Sequence, residues 1–371
     1  MEEIKTVNSG YKQTLLWGGE ASYGAAGTID EQTGLVQSIN PTETNNLIKV
    51  RTMGGTRDYS NIIPGKFQIS GSFDYMIQNG AFMRQAFGED TATTATIDSG
   101  PKFHTGATSY RHVMGSAASP AADSFPSFTL EFTDYESTDI SAATTNLKRK
   151  YTGCRVNNFT ISGSVDEPVK AAVDWMAQGV TVSTGAPTSV AAMTTDPFVF
   201  YQGAVYATSG AVTAYTALYN LSANEIAEVN SFSFGINNNL EAIWYISGTT
   251  ATTQTLRGLK SLLVKGRDYT GSLGLHFKNK TMYQRFLGSN TATAGGSTLN
   301  KYNIVLDFAR SGYPGSSPKA ATDDWFRLVL ASCAFDTINI PGSPEDVVSQ
   351  DIDLFIPKAK MYFIDTDASY A

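Results

Sequence analysis

The feature that most constrains the fold of this chain is a segment that occurs twice. Residues 79–88 read NGAFMRQAFG, and residues 279–288 read NKTMYQRFLG. Apolar side chains recur at i, i+1, i+4 and i+5 in both runs, which places them on one face of a helix. Each run opens on Asn, a preferred helix N-cap, and closes on Gly, the usual C-terminal cap. The pattern predicts two equivalent short helices whose apolar faces are largely buried, with Phe82 and Phe87 in the first and Tyr283 and Leu287 in the second.

Further blocks match in the same order along both halves of the chain, and only the loops between them differ in length. This order predicts a duplicated domain. The boundary is expected within residues 182–197, a small and polar stretch with two prolines that is typical of a linker. The predicted domains are residues 1–185 and residues 186–371. The paired blocks are 36–38 with 229–231, 45–47 with 238–240, 71–72 with 271–272, 128–132 with 304–308, 159–164 with 338–343, and 173–175 with 352–354.

Strand periodicity dominates the remaining sequence. Apolar residues alternate with polar or small ones over residues 67–77, and Gly71 on the apolar side indicates a bend or bulge. Residues 169–175 and 348–356 alternate in the same way, except at Gln350. The predicted fold class is mainly β, with two tandem copies of an antiparallel β-sandwich or barrel domain, each carrying one short α-helix.

A long loop at about residues 89–124 distinguishes the first predicted domain from the second, whose counterpart at about 289–300 is much shorter. The long loop is rich in Gly, Ala, Ser and Thr. Loops of this length in compact domains are usually functional or disordered. We expect this loop to contact a neighbouring subunit or ring rather than its own domain.

Composition limits the classes of function. The chain of 371 residues carries a formal net charge of −7, so it is a poor candidate for wrapping nucleic acid, which requires clustered Lys and Arg. No run is long and apolar enough to span a membrane, and the first residues lack the pattern of a signal peptide. The two cysteines, Cys154 and Cys333, occupy equivalent places in the two copies. A disulfide between them would have to bridge domains, so two reduced, buried thiols are expected.

Residues that could carry chemistry are few. His104 and His112 lie in the long loop and lack neighbouring ligands, so they are expected to be exposed, and His276 is expected to be structural. Asp351, Asp353, Asp365 and Asp367 resemble fragments of calcium loops without the residues that complete them. No catalytic, cofactor-binding or metal-binding residue is therefore predicted, and no cofactor.

Two adjacent carboxylates recur after Gly-Ser, as Asp166-Glu167 and Glu345-Asp346. Neighbouring residues usually point apart, which suits acid–base catalysis poorly. Two interpretations stay open: a solvated acidic turn, or an acidic patch repeated around an assembled ring.

The segments GSFDYMIQNGAF (71–82) and FTISGSVDEPVKAAVDW (159–175) resemble the strand-into-helix step and the closing hairpin of tail tube proteins from long-tailed bacteriophages or archaeal tailed viruses. The resemblance implies a non-enzymatic virion protein, made in the host cytoplasm, whose stacked rings form the hollow tail tube through which viral DNA is ejected. Most such proteins carry one domain and form hexameric rings, so two domains per chain imply trimeric rings with pseudo-sixfold symmetry. The implied partners are further copies of the chain, tail terminator, baseplate or tip and tape measure proteins, and DNA in transit.

Two other classes of protein remain as alternatives. One is another virion or surface structural protein, such as a baseplate hub, decoration or surface-layer subunit. The other is an enzyme on a β-sandwich, for example a glycan-cleaving domain, which would require a cleft with paired carboxylates about 5–10 Å apart.

Overall fold

The computed structural model describes residues 13–53, 57–90, 93–94, 110–115, 125–135, 146–212, 226, 229–245, 257–310, 324–342, 347–365 and 370. The described elements are nearly all antiparallel strands, which confirms the mainly β class. The helices of the described part are α1 (Met83–Phe87) and α2 (Thr281–Leu287). The strands of the first half are β1 (Gln13–Gly19), β2 (Leu35–Thr44), β3 (Ile48–Val50), β4 (Asn61–Ile63), β5 (Gln68–Met76), β6 (Glu89–Asp90), β7 (Thr93–Thr94), β8 (Tyr110–Gly115), β9 (Phe128–Asp134), β10 (Leu147–Ser164), β11 (Lys170–Ala177) and β12 (Gly179–Thr184). Those of the second half are β13 (Gly203–Thr208), β14 (Val229–Asn237), β15 (Glu241–Ile243), β16 (Ser261–Leu263), β17 (Asp268–His276), β18 (Tyr302–Ala309), β19 (Trp325–Asn339), β20 (Ser349–Phe355) and β21 (Lys358–Asp365).

Each half is a sandwich of two sheets that share one long strand. In the first half, β10 pairs with β9 and β12 through its N-terminal part and with β11 through its C-terminal part. The outer sheet has the order β1-β9-β10-β12, and the facing sheet has the order β2-β5-β11-β10. In the second half, β19 bridges the sheets β13-β18-β19-β21 and β14-β17-β20-β19 in the same way. The strand order of one half thus recurs in the other.

A junction between β10 and β14 joins the two halves. Residues 158–164 of β10 pair in antiparallel register with residues 231–237 of β14. The two facing sheets therefore form one sheet of order β2-β5-β11-β10-β14-β17-β20-β19, called here the shared sheet. Residues 185–199, between β12 and the 3₁₀ turn Phe200–Gln202, connect the halves without a regular helix or strand.

Irregularities in the shared sheet occur at matched positions. The register of β2 on β5 shifts between Val36 and Ser38, and that of β14 on β17 shifts between Val229 and Ser231. The register of β10 on β11 likewise shifts at residues 156–158, and that of β19 on β20 at residues 335–337. Positive φ angles also occur at matched positions of the two halves. Asn46 and Asn239 have φ of 42° and 47°. Gly153 and Ser332 have φ of 62° and 58°. The shifts in β10 and β19 fall where each of these long strands turns from one sheet into the other.

Gly71 marks close packing rather than the bend or bulge that its place in the apolar pattern indicated. The register of β5 is continuous through this residue on both sides. A Cβ atom on Gly71 would lie 2.5 Å from the indole ring of Trp175. The glycine is therefore required because the tryptophan occupies the space of its missing side chain.

The described part of the long loop contacts the second half of its own chain. Strand β8 pairs with β21 over residues 110–115 and 360–365, and so extends the outer sheet of the second half. The loop was expected to contact a neighbouring subunit or ring rather than its own domain, and these six residues instead contact the second half of the same chain. Residues 91–92, 95–109 and 116–124 lie outside the described part.

The two helices differ in burial although their sequences match. Phe82 and Phe87 of the first run are completely buried, as predicted. Tyr283 is 42% exposed, so its predicted burial is wrong, and Leu287 is only partly buried. The difference arises because α1 lies at the junction, where the ring of Phe87 stacks on Phe234 of β14 at 6.0 Å between centroids. Among the described residues, α2 contacts β19 of its own half instead.

A stability measurement checks this difference between the helices. Phe87→Ala should lower the free energy of unfolding by about 3–5 kcal/mol, because it removes a fully buried ring from a packed site. Leu287→Ala is the matched control and should cost less, since part of that side chain already contacts solvent. Chemical denaturation of the unassembled chain measures both values. Equal losses for the two variants would contradict the assigned burial.

The two cysteines are free and buried, as predicted, in strands β10 and β19. Burial raises the pKa of the Cys333 thiol to about 12 and also raises the pKa of Cys154. A thiol is nucleophilic only as the thiolate, so neither should react with iodoacetamide at neutral pH in the folded chain. Mass spectrometry should detect two alkylated cysteines after unfolding in urea and none before it. A disulfide in the purified chain would contradict this account.

Candidate assembly interface and channel face

The two histidines that the structure describes lie in different strands and environments. His112 is completely buried, so its predicted exposure is wrong. Its ring stacks on Tyr370 at 3.6 Å between centroids, and its strand β8 pairs with β21. His276 is exposed at the end of β17, and His104 lies outside the described residues. Within the described part of the chain, no group of three or more His, Cys, Asp or Glu side chains is placed to hold a metal ion.

The acidic turn after β10 is solvated. Asp166 has a φ of 64°, and its neighbour Glu167 accepts a hydrogen bond from Lys170 Nζ at 3.2 Å. This hydrogen bond, followed by one from Ser164, lowers the pKa of the Glu167 carboxyl. A carboxylate held ionised in this way is unsuited to act as a general acid. The matching pair Glu345-Asp346 and the residue Asp367 lie outside the described residues.

Buried charges in the sandwiches are paired. Asp307 and Arg327 are completely buried and form a two-point contact, with Arg327 Nη2 at 2.6 Å from Asp307 Oδ2. Glu131, at the matched position of the first half, lies 2.9 Å from Lys148 Nζ. Asp365 is also buried and accepts a hydrogen bond from Tyr370. These partners compensate the buried charges.

One face of the shared sheet is polar along its whole width. Alternate residues of each strand point away from the sandwich cores, and most of them are Ser, Thr, Asn or Asp. Aspartate predominates among the ionisable residues of this face, which are Asp74, Asp174, Asp268, Asp351, Asp353, Lys170, His276 and Arg155. Asp174 and Asp353 occupy matched positions, each opposite a serine of the neighbouring strand.

Both ends of the shared sheet are open within the described residues. Strand β2 pairs with β5 on one side only, and residues 334–339 of β19 pair only with β20. Pro41 lies in β2, and proline is tolerated in a strand mainly at a sheet edge. Unpaired edges of this kind accept a further strand readily.

Side chains and backbone groups beside the β10–β14 pairing strengthen the internal junction. Asn238 is completely buried and donates hydrogen bonds to the carbonyl oxygens of Ala86 and Val156. Asn157 accepts from the backbone N–H of Leu240 at 3.0 Å through its side-chain oxygen, and from that of Asn238 at 2.8 Å through its carbonyl.

Apolar side chains remain uncovered near the open edge at β2. The exposed fractions are 54% for Leu47 and Ile48, 48% for Tyr59, 55% for Ile62 and 44% for Ile63. Sequence reasoning missed this patch because it assigned no structure to residues 47–63. The sequence did contain a signal for an apolar patch, because leucines also occur at the matched positions of the second half, which are 240, 259, 262 and 263.

None of the helices in the described residues is long and apolar enough to cross a membrane. A family model described as phage tail tube protein matches residues 10–353 of the chain. A comparison with curated proteins finds no match.

Proposed function

The chain belongs to the phage tail tube protein family, and we propose that three copies of it close a ring and that such rings stack into the hollow tube of a viral tail. The family match supports a structural tail component that assembles with itself. The proposal goes beyond the family match in three features: the number of chains in a ring, the passage of DNA and the duplication.

Duplication is supported by the matched irregularities of the two halves. Bulges and positive φ angles fall at the positions that the repeated sequence blocks pair with one another. Two unrelated sheets would have no reason to deviate from regular pairing at the same places. Each half is therefore one tube domain, with the boundary near residue 185.

The observation that carries the proposed ring is the internal junction between β10 and β14. Strand β19 is the counterpart of β10, and β2 is the counterpart of β14. Both are open edges, so the same pairing can form between β19 of one chain and β2 of the next. A heterologous contact of this kind closes into a ring when its rotation divides a full turn evenly. Two domains per chain then place three chains around six positions.

The polar face of the shared sheet is the proposed wall of the channel. Hydroxyl and amide groups bind the phosphates of DNA only weakly, and the aspartate carboxylates on this face repel them. DNA can therefore pass without being held. The matched residues Asp174 and Asp353 would repeat six times around one ring.

Other elements of the proposal follow from the place of a tube in a virus particle. The protein acts without catalysis or cofactor, is made in the host cytoplasm and becomes part of the virion tail. Its further contacts are a tail terminator, a baseplate or tip, and a tape measure protein in the channel.

Negative-stain electron microscopy and sedimentation velocity of the purified protein test the proposed function. We expect rings or tubes with a central channel, in equilibrium with free subunits. Flat sheets, or only monomers over a wide range of concentration and salt, would contradict it.

A further inference from the structure

Two hairpins leave the shared sheet at matched points, and they are called here the first arm (residues 47–63) and the second arm (residues 240–263). The first arm contains β3 and β4, and the second contains β15 and β16. Lys49 pairs with Ile62 in the first arm, and Ala242 pairs with Leu262 at the same register in the second. A backbone hydrogen bond from Ser60 to Val50 recurs from Lys260 to Ile243. The described parts of the two arms therefore match residue by residue.

The second arm lies against the first half of its own chain. Leu259 and Leu262 are only 5% and 1% exposed. The carbonyl oxygen of Leu262 accepts a hydrogen bond from Arg155 Nη1 at 2.6 Å. Arg257 Nε donates to the carbonyl oxygen of Gly65 at 2.7 Å. The second arm thus reaches back across the junction that its own strand β14 makes with β10.

The first arm carries the corresponding side chains in exposed positions, with Arg51 and Lys49 of the same arm over the ring of Tyr59. Tyr59 and Ile62 match Leu259 and Leu262 but are 48% and 55% exposed. Arg57 stands at the position of Arg257 and is also exposed. Ile63 matches Leu263, which is still 49% exposed although its arm is docked. Comparison with the docked second arm therefore identifies the face of the first arm that a partner would cover.

We propose that the first arm of one subunit docks on the second half of the adjacent subunit in the ring, with Tyr59 and Ile62 buried at the contact. This inference rests on the proposed ring. The occupant is a second copy of this chain because the docking is continuous with the β19–β2 pairing. The first arm would dock on the adjacent subunit in the way that the second arm docks at the internal junction.

The receiving surface is defined by the same matching. Thr152, Gln178 and Gly179 line the cleft beside the second arm in the first half. Their counterparts in the second half are Ala331, Pro357 and Lys358, which are half-buried or exposed.

Three polar groups at the proposed interface between chains differ from their counterparts at the internal junction. Asp336 takes the position of Asn157, so its carboxylate can accept the backbone N–H of Leu47 of the next chain. Arg155 and Gln178 donate to the second arm through their side chains, and they correspond to Ala334 and Pro357, whose side chains cannot donate. Burial of apolar side chains therefore carries more of this contact than of the internal one.

Substitutions at adjacent arm positions test the proposal with a matched control. Ile62→Asp should leave the melting temperature of the free subunit unchanged, because the residue is exposed there, but should raise the concentration needed for ring assembly at least tenfold. Ile63→Asp should assemble like the parent chain, because its counterpart stays exposed at the internal junction. Sedimentation velocity over a concentration series measures assembly. Equal assembly of the two variants would overturn the docking of the first arm.

A labelling measurement gives the same test without disturbing the contact. Ile62→Cys should react with a maleimide in the free subunit and be protected in assembled rings, whereas Ile63→Cys should react in both. Labelling of both cysteines in rings would overturn the arm proposal and leave the ring itself intact. Failure of the parent chain to form rings at all would instead count against the proposed function.

Discussion

Oxidation of the double variant Thr44→Cys, Thr337→Cys should convert assembled protein into covalently closed sets of three chains. The expectation follows from transferring the internal register to the contact between chains. Asn158 faces Asn237 across the β10–β14 pairing. The matched residues are Thr337 on β19 and Thr44 on β2, so they should face each other between chains. Directly opposed residues in antiparallel strands have Cα atoms about 4.5–5.5 Å apart, within the range of Cα separations that a disulfide spans.

Two control variants make the cross-link specific to this register. Asn158→Cys, Asn237→Cys has the same geometry within one chain and should give an oxidised monomer. Ser38→Cys, Thr337→Cys displaces one cysteine by six residues, or about 20 Å along the strand, and should give no cross-link. The native cysteines are buried and should not interfere. Non-reducing electrophoresis with mass measurement separates the products. Cross-linking by the displaced pair, or a closed product of six chains, would contradict the proposed junction.

Reversing the charge at Asp174 and Asp353 should convert the channel from one that DNA passes into one that holds it. Each Asp→Lys change adds two positive units, so the double variant carries four more than the −7 of the parent chain. The new lysines would form a ring of six in each layer of the tube. Phosphate binding by several lysines is strong at low salt, and for about 6–10 contacts it falls by about 10³–10⁵ between 50 and 200 mM salt.

Retention of a short fluorescent DNA duplex by assembled tubes measures this effect. The double variant should retain the duplex at low salt and release it as salt rises, and the parent tubes should not retain it. Asp30→Lys, Asp196→Lys is the control, because it makes the same charge change at exposed residues outside the shared sheet. Equal retention by the control would mean that binding is not confined to the channel face.

Sequence alone predicted the features that depend on local pattern. Period-two alternation predicted the strands around Phe73 and Val173, and the i, i+4 stripe with a terminal glycine predicted α1 and α2. The ordered blocks predicted a duplicated domain, and this duplication stays a prediction. These patterns are local because strand pleat and helix pitch fix which side chains share a face.

Features that depend on what lies beyond a domain were not predictable in this way. Tyr283 carries the same apolar signal as Met83, yet Met83 is buried and Tyr283 is exposed, because α1 lies at the junction with the second half. His112 lies in a segment of small residues without clear periodicity, so its pairing on β21 depends on a contact distant in sequence. The division of β10 and β19 between two sheets depends on bulges, and the residue types at these positions do not predict a bulge. Sequence also left open which edges and arms are uncovered, because exposure is a property of the whole chain.

A reconstruction of the assembled protein by cryo-electron microscopy, at a resolution that traces individual strands, tests the central claim most directly. The account predicts stacked rings of three chains around an open channel, with β19 of each chain paired to β2 of the next in the register of β10 on β14. The wall should be lined by Asp174 and Asp353 at six equivalent places. Six chains in a ring, or β2 and β19 left unpaired between neighbouring chains, would contradict it.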